Sequence, residues 1–467
     1  MQTNTIFYFL STFIIFSVEG ICQKPTSNLP PIQLVRYKEN YDSIKIQNVS
    51  LSFIEKIKHI DIDKKPAIYI SFGAEVREAY EFHKNPVFGL RQLGSDGFWL
   101  QRYHLHADLH VTNIVRTFLQ LGSAIKIGGI GKPSPIQEDK LFMHQAFVQV
   151  ALPGKTSKPK VIINAGRQEI EIGSGRFVSI RIGPNIRQSF DALRVIILDV
   201  DNWSFNAFYS RPVKNQQGYF DNETFSDKTP DFWNISATHK LIKISSNIDL
   251  YYWGLRNKDA EFVQGSGREL RHSFGARVFA NQKLVDYDAE VMYQFGDFNN
   301  SHISAYTVSV DAGYTFTNLK AKPRIGLKTQ IASGDRNPSD AHLQTFNSFF
   351  PESGGYFAGV SNLFDLHPSV DLDLNKIKLK SAVAFVWRQS NSDGLYSPGR
   401  VIIIKDAGFN KYSYIGTQVQ QTAFCPISRY VSFRGIYQYF FAGKYLSNSH
   451  PKRHDETFFT VMVSLII

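Results

Sequence analysis

Apolar and polar residues alternate along nearly the whole chain. In residues 68–77 one face reads Ile68, Ile70, Phe72, Ala74 and Val76, and the other Tyr69, Ser71, Gly73, Glu75 and Arg77. Around Tyr103 the apolar set is Tyr103, Leu105, Ala107, Leu109 and Val111, against Arg102, His104, His106, Asp108 and His110. From Val285 it is Val285, Tyr287, Ala289, Val291, Tyr293 and Phe295, against Asp286, Asp288, Glu290, Met292 and Gln294. Ile325, Leu327, Thr329 and Ile331 oppose Arg324, Lys328 and Gln330. A period of two predicts strands with one apolar face. Eighteen strand candidates begin near residues 67, 98, 114, 141, 159, 189, 202, 231, 246, 270, 284, 301, 321, 366, 376, 414, 427 and 456. No segment carries a capped helical period.

Connection lengths separate a membrane barrel from a sandwich, which would alternate too. Tight turns fall at 112–113, 199–202, 281–283 and 375. Long loops fall at 83–97, 126–140, 173–188, 212–230, 333–365, 389–413 and 443–455. Short on one side and long on the other is the rhythm of a transmembrane antiparallel β-barrel with periplasmic turns and extracellular loops. An even strand number places both ends of the barrel on the periplasmic side. The last residues, Phe459, Val461, Val463, Leu465 and Ile467, alternate to the end. They are expected to close the sheet against the first strand, because an open edge in lipid leaves backbone groups unpaired.

The N-terminal run IFYFLSTFIIFSV, residues 6–18, is too short for a helical span and suits a signal peptide. Residues 1–22 are read as that peptide, 23–66 as a periplasmic N-terminal tail with Pro30-Pro31, and 67–467 as the barrel. Cleavage and export to the outer membrane follow. With only 2 Cys in the chain, a disulfide scaffold or a Cys-built zinc site is excluded.

The formal net charge is +11, with 52 Lys and Arg against 41 Asp and Glu. In an exported chain the matching polyanion is not a nucleic acid. Barrel parity sends the polar faces inward, and with them a basic surplus. The inward candidates are Arg77, Arg102, Arg116, Arg271, Arg277, Arg324, Lys328, Lys378, Lys380 and Arg434, accompanied by Glu75, Asp108, Asp286, Asp288 and Glu290. Arg167 and Glu169 lie where parity is ambiguous. The loop at 173–188 adds Arg176, Arg181 and Arg187 and is long enough to enter the lumen. Arg stays charged at any relevant pH and pairs bidentately with carboxylates, which suits a polyuronate. The bland alternative is that these residues brace the wall against neighbouring acids.

Several stretches resemble the alginate export family. They are residues 73–77 with Tyr80-Glu81, 102–108, His144-Gln145-Ala146-Phe147, Gly166-Arg167-Gln168-Glu169 with Gly173-Ser174-Gly175-Arg176, and 183–191. Further along come Tyr293-Gln294-Phe295-Gly296, 333–338, Thr345-Phe346-Asn347, and Trp387-Arg388 with Asp393-Gly394-Leu395-Tyr396. The resemblance implies an 18-stranded monomeric barrel with an arginine-rich conduit for an acidic polysaccharide. Its conduit positions fall on Arg77, Arg102, Arg167, Arg176 and Arg187, with Asp191 as acidic partner. One departure is visible. The family's secretion porin has a long periplasmic loop between strands sixteen and seventeen that covers the inner mouth. Here those strands join directly around Phe424-Cys425-Pro426-Ile427.

The expected function is a passive outer-membrane pore for an anionic polysaccharide or oligosaccharide, without cofactor and without catalysis. Its expected partners are that glycan, outer-membrane lipid and a periplasmic secretion partner. Export and uptake both fit, and a structural or adhesive barrel without transport is the alternative. Asp335 and Asp340 suit either a Ca²⁺ ion or turn chemistry, and turn chemistry is the expectation. His104, His106 and His110 are read as polar wall, and no nucleophile with a matching base stands out.

Overall fold

In a computed structural model, the described residues are 30–41, 52–63, 68–90, 94–112, 114–154, 159–352, 361–399, 401–405, 410–449 and 453–467. The signal-peptide reading lies outside them, as does part of the tail. Eighteen strands form one closed antiparallel barrel. In chain order they are β1 (Tyr69–Lys84), β2 (Ser95–His110), β3 (Val115–Gly128), β4 (Asp139–Pro153), β5 (Pro159–Gln168), β6 (Phe190–Val200), β7 (Trp203–Pro212), β8 (Asp231–Leu241) and β9 (Ser246–Phe262). They continue as β10 (Gly265–Asn281), β11 (Val285–Phe298), β12 (Ser301–Thr315), β13 (Arg324–Ala332), β14 (Leu363–Asp373), β15 (Lys378–Trp387), β16 (Tyr414–Pro426), β17 (Val431–Ala442) and β18 (Glu456–Ile466). Each strand pairs with its sequence neighbours, and β18 pairs with β1 from Glu75↔Ile466 to Lys84↔Thr457. The terminal residue completes the seam: Ile467 N–H donates to Ala74 O at 2.8 Å and Ala74 N–H to Ile467 O at 3.1 Å.

Every predicted start lies within five residues of the observed one. The largest gap is at β10, where Gly265 and Gly267 interrupt the alternation. The external connections are less uniform than expected: β9–β10 and β11–β12 are hairpins of two residues, 263–264 and 299–300. The helix-free reading misses two short α-helices, Lys444–Ser449 and the single turn Phe53–Lys56. It is fixed by a capping box in which Ser52 Oγ accepts from Glu55 N–H and Glu55 Oε2 from Ser52 N–H. A single turn leaves no periodicity to find.

Parity holds on the lipid side. Leu105, Phe274 and Ile325 are exposed, whereas Arg102, Arg271 and Met292 on the opposite faces are buried. The inward face departs from the polar expectation on β6–β9. There Phe190, Phe208, Phe232 and Trp253 point into the barrel and pack with Ile170, Phe177, Val178, Phe346 and Phe349 from two inserted loops. A filled stretch of lumen is a protein core, so apolar residues face both ways along these strands.

Candidate functional site

The β5–β6 loop, residues 169–189, enters the barrel. Gly173 and Gly175, at φ +64° and +75°, supply the left-handed turn that sends the chain inward. The hairpin closes through Ile172 N–H to Val178 O. Ser179 N–H then donates to Phe350 O at 3.0 Å and Phe350 N–H to Phe177 O at 2.9 Å, joining this loop to the β13–β14 loop. The two loops together form a partition inside the barrel.

The arginines predicted to line a conduit mostly hold this partition. Arg77 is buried and donates to Ile182 O, Gly183 O, Pro184 O and Asn185 Oδ1, so it clamps the loop backbone. Arg102 donates from Nε and Nη2 to Glu75 Oε1 at 3.0 and 2.5 Å, and from Nη1 to Pro184 O. Arg187 grips Glu169 from Nε and Nη2 at 2.6 and 2.7 Å and reaches Glu75 at 3.2 Å. His144 Nε2 lies 2.8 Å from Glu169 Oε1 and its ring stacks on His104. Arg167 and Asp191 form the implied bidentate pair at 2.8 and 3.1 Å.

The remaining predicted cations divide. Arg116 pairs with Asp108, Arg176 with Glu290, Arg271 with Glu269, and Arg277 with Asp249 and Asp288. Arg324 bridges Asp286, Asp311 and Asp371. Among the described residues Lys328 and Arg434 make no ion pair, and the Arg434 guanidinium lies 5.4 Å from the Phe424 ring. Lys378 is exposed on the same wall, and Lys380 is half-exposed, 3.8 Å from Asp371. Sheet register makes these neighbours: Lys328 faces His367, Asp371 faces Lys380, Lys378 faces Phe424, and Phe424 faces Arg434. Of the predicted cations, those without a tight carboxylate partner among the described residues are Arg77, held by carbonyls and an amide, and the group on the β13–β17 wall. Parity could not show this, because Asp249, Glu269 and Asp365 fell outside the inward acids it named and Glu169 lay where it was ambiguous.

The tail also reaches the lumen. Residues 30–41 were expected in the periplasm, yet Tyr37 packs edge-on against the inward rings of Phe118 and Phe147, at 6.1 and 5.1 Å between centroids. Its hydroxyl donates to Glu169 O at 2.9 Å. The turn between β16 and β17 is as short as the sequence implied, residues 427–430. Beside it the N-terminal segment, rather than a β16–β17 loop, stands in the inner lumen.

On the outer side, several stretches that carried the family resemblance converge. Asp393 Oδ2 accepts from Asp335 N–H and Thr345 Oγ1, and its Oδ1 accepts from Tyr396 OH and Gly394 N–H. Arg388 donates to the carbonyls of Asn391, Asp393, Asn410 and Tyr412 and lies 3.8 Å from the Tyr445 ring. Asp335 Oδ1 accepts from Asn337 N–H and Asp340 Oδ1 from His342 N–H, which is turn chemistry. Burial pushes the Asp335 carboxyl up to about 6, with Asp393 and Asp340 adding to the rise, and burial also raises Asp393. Among the described residues no three His, Cys, Asp or Glu side chains group as metal ligands. These recurrent residues clamp loops, a role that local spacing does not announce.

A closed 18-stranded barrel, apolar outside, with short turns at one rim and inserted loops from the other, has the fold of outer-membrane porins. Solved structures agree on that fold. A BenF-like porin from Pseudomonas fluorescens Pf-5 aligns at a TM-score of 0.58 with 11% identity, over 85% of this chain and 99% of the porin. Pseudomonas aeruginosa OpdK with vanillate aligns at 0.56 with 12% identity, over 85% and 98%. Pseudomonas aeruginosa OccK2 in complex with glucuronate gives the same four values. No curated protein matches the sequence. The alginate export family model matches residues 68–460, and the chain belongs to that family.

Proposed function

We propose that the protein is a passive outer-membrane pore for anionic saccharides, an alginate-like polyuronate or its fragments, guided along the β13–β17 wall. The observation that carries this reading is the row of Lys328, Lys378, Lys380 and Arg434, whose charge is not consumed by tight ion pairs. Cations in a pore wall favour anions, and nearby Asp365 and Asp371 keep any one site weak enough to release its cargo. The family membership supports a glycan acid. A fold neighbour solved in complex with glucuronate is in keeping with a uronate cargo. The barrel contains no energy source, so direction comes from a gradient, from synthesis or from capture.

A second reading is a barrel without conductance. It draws on the packed outer loops, where Phe88, Leu363, Val386, Leu395, Tyr396, Phe440 and Tyr445 form an apolar cluster. Planar-bilayer recording of the refolded protein under a salt gradient separates the two. Anion-selective conductance blocked by oligouronate, but not by a neutral oligosaccharide, supports the pore. Absence of conductance favours the second reading, and cation selectivity overturns the anionic cargo.

A further inference from the structure

The N-terminal segment is held differently from the rest of the lumen. It reaches from the β16–β17 turn, where Arg429 donates to Pro30 O, past the end of β18, where Arg36 Nη2 donates to Ile467 O at 2.6 Å. It continues to the wall of β3 and β4 through Tyr37, and to the partition through Arg187, which donates to Leu34 O at 2.9 Å. Residues 30–41 thus run along one arc of the inner barrel, from the β16–β17 turn past the end of β18 to β3 and β4.

Two features make this docking reversible in kind. The backbone-to-backbone hydrogen bonds of the segment run within it, Lys38 N–H to Val35 O and Glu39 N–H to Arg36 O, only side chains reach its carbonyls from outside, and no described strand pairs with it. Its removal breaks no sheet. The interface is also poor for a core. Its apolar part is Val35 and Tyr37 against Phe118, Phe147 and Ile180. Around it lie buried polar atoms without a hydrogen-bond partner, including Arg36 Nε and Lys58 Nζ, the latter 5.1 Å from the Tyr41 ring centre. Each such atom offsets the gain from apolar burial. A permanent filling would be expected to resemble the aromatic cluster on β6–β9.

We infer that residues 30–41 are a built-in inner plug, docked on the β3–β4 wall and the inserted loop, whose withdrawal toward the inner rim widens the pore. Downstream, Ile60 and Asp61 pair with Ile70 and Tyr69 at the start of β1, which anchors the chain at that rim. The inference rests on the pore reading above, and the two fail separately.

The test compares single-channel conductance of the full chain with that of a variant lacking residues 30–41 and of Arg36→Ala/Tyr37→Ala. The deletion should raise conductance by about twofold or more, and the double substitution by less, with the sign of the reversal potential unchanged. Equal conductance in all three overturns the plug while leaving the pore. A rise accompanied by cation selectivity keeps the plug and overturns the anionic cargo. Should the deletion fail to fold, Tyr37→Cys in a Cys22→Ser/Cys425→Ser background gives a second readout. Slow but complete modification by a hydrophilic maleimide supports withdrawal. Full protection while the denatured protein labels at once overturns it.

Discussion

The two sides of the lumen use the same residue types for opposite ends. Around β1–β6, Glu75, Arg102, Arg187, Glu169 and His144 form a buried network in which every arginine is committed to a carboxylate or a carbonyl. On β13–β17 the inserted loop touches the wall through Arg176, which donates to Gln330 Oε1, and Lys328 and Arg434 stay unpaired among the described residues. Inward parity gives both sets the same weight. What separates them is a loop and an N-terminal segment that arrive from elsewhere in the chain. An arginine in a barrel lumen is a binding group only where nothing has folded in to meet it.

The largest effect is expected where the paired side is broken. Arg187→Met removes a guanidinium shared by Glu169 and Glu75, both buried. Breaking a buried pair costs about 3–5 kcal/mol, because the remaining charge is left uncompensated. Urea unfolding of the refolded barrel, followed by tryptophan fluorescence, should show that loss. Adding Glu169→Gln should recover part of it, because the stranded charge is then gone. A loss below about 1 kcal/mol would mean that the loop is not held by this network.

The unpaired side should respond in transport instead. Lys328→Glu/Lys380→Glu/Arg434→Glu should reverse the sign of the reversal potential under a salt gradient. Its stability should fall by less than that of Arg187→Met, since none of these cations holds a close carboxylate. Arg116→Gln is the control from the paired side: it should cost about 1–3 kcal/mol through loss of the bidentate bond to Asp108 and leave selectivity unchanged. If Arg116→Gln moved the reversal potential as far as the triple variant, the division into braces and binders would collapse.

The barrel was legible because alternation, turn length and closure are local or pairwise properties. A period of two marks each strand, and Phe459 to Ile467 announce the seam. The site was legible only in part. Arg167 with Asp191 could be placed through the family, and Arg77 could be placed inward, but not as a clamp on residues 182–185. That role depends on where a loop lies about a hundred residues away in sequence. Tyr37 was invisible for the same reason: in a Pro-containing stretch nothing local says that its ring will sit between Phe118 and Phe147. The inward aromatics of β6–β9 were not legible by parity, which takes the inside to be wet and polar.

The smallest effect expected is a pH dependence of the outer loops. Asp335 is buried, its Oδ2 has no hydrogen-bond partner, and its pKa is lifted from 3.8 to about 6. A carboxyl raised in the folded state contributes stability that is complete below its ordinary value. That stability is lost as pH rises through about 6. A shift of this size corresponds to about 3 kcal/mol at most, spent on the local opening of the Asp335–Asp393 junction rather than on the barrel. Hydrogen exchange over residues 335–345 and 388–396 should therefore show stronger protection at pH 5 than at pH 7.5, after correction for intrinsic rates. Strand β11, remote from the junction, should show no such trend. Asp335→Asn keeps the acceptor for Asn337 N–H and removes the charge, so it should give the pH 5 protection at both values. Equal pH sensitivity in Asp335→Asn would move the titration to another group and leave Asp335 as turn chemistry alone.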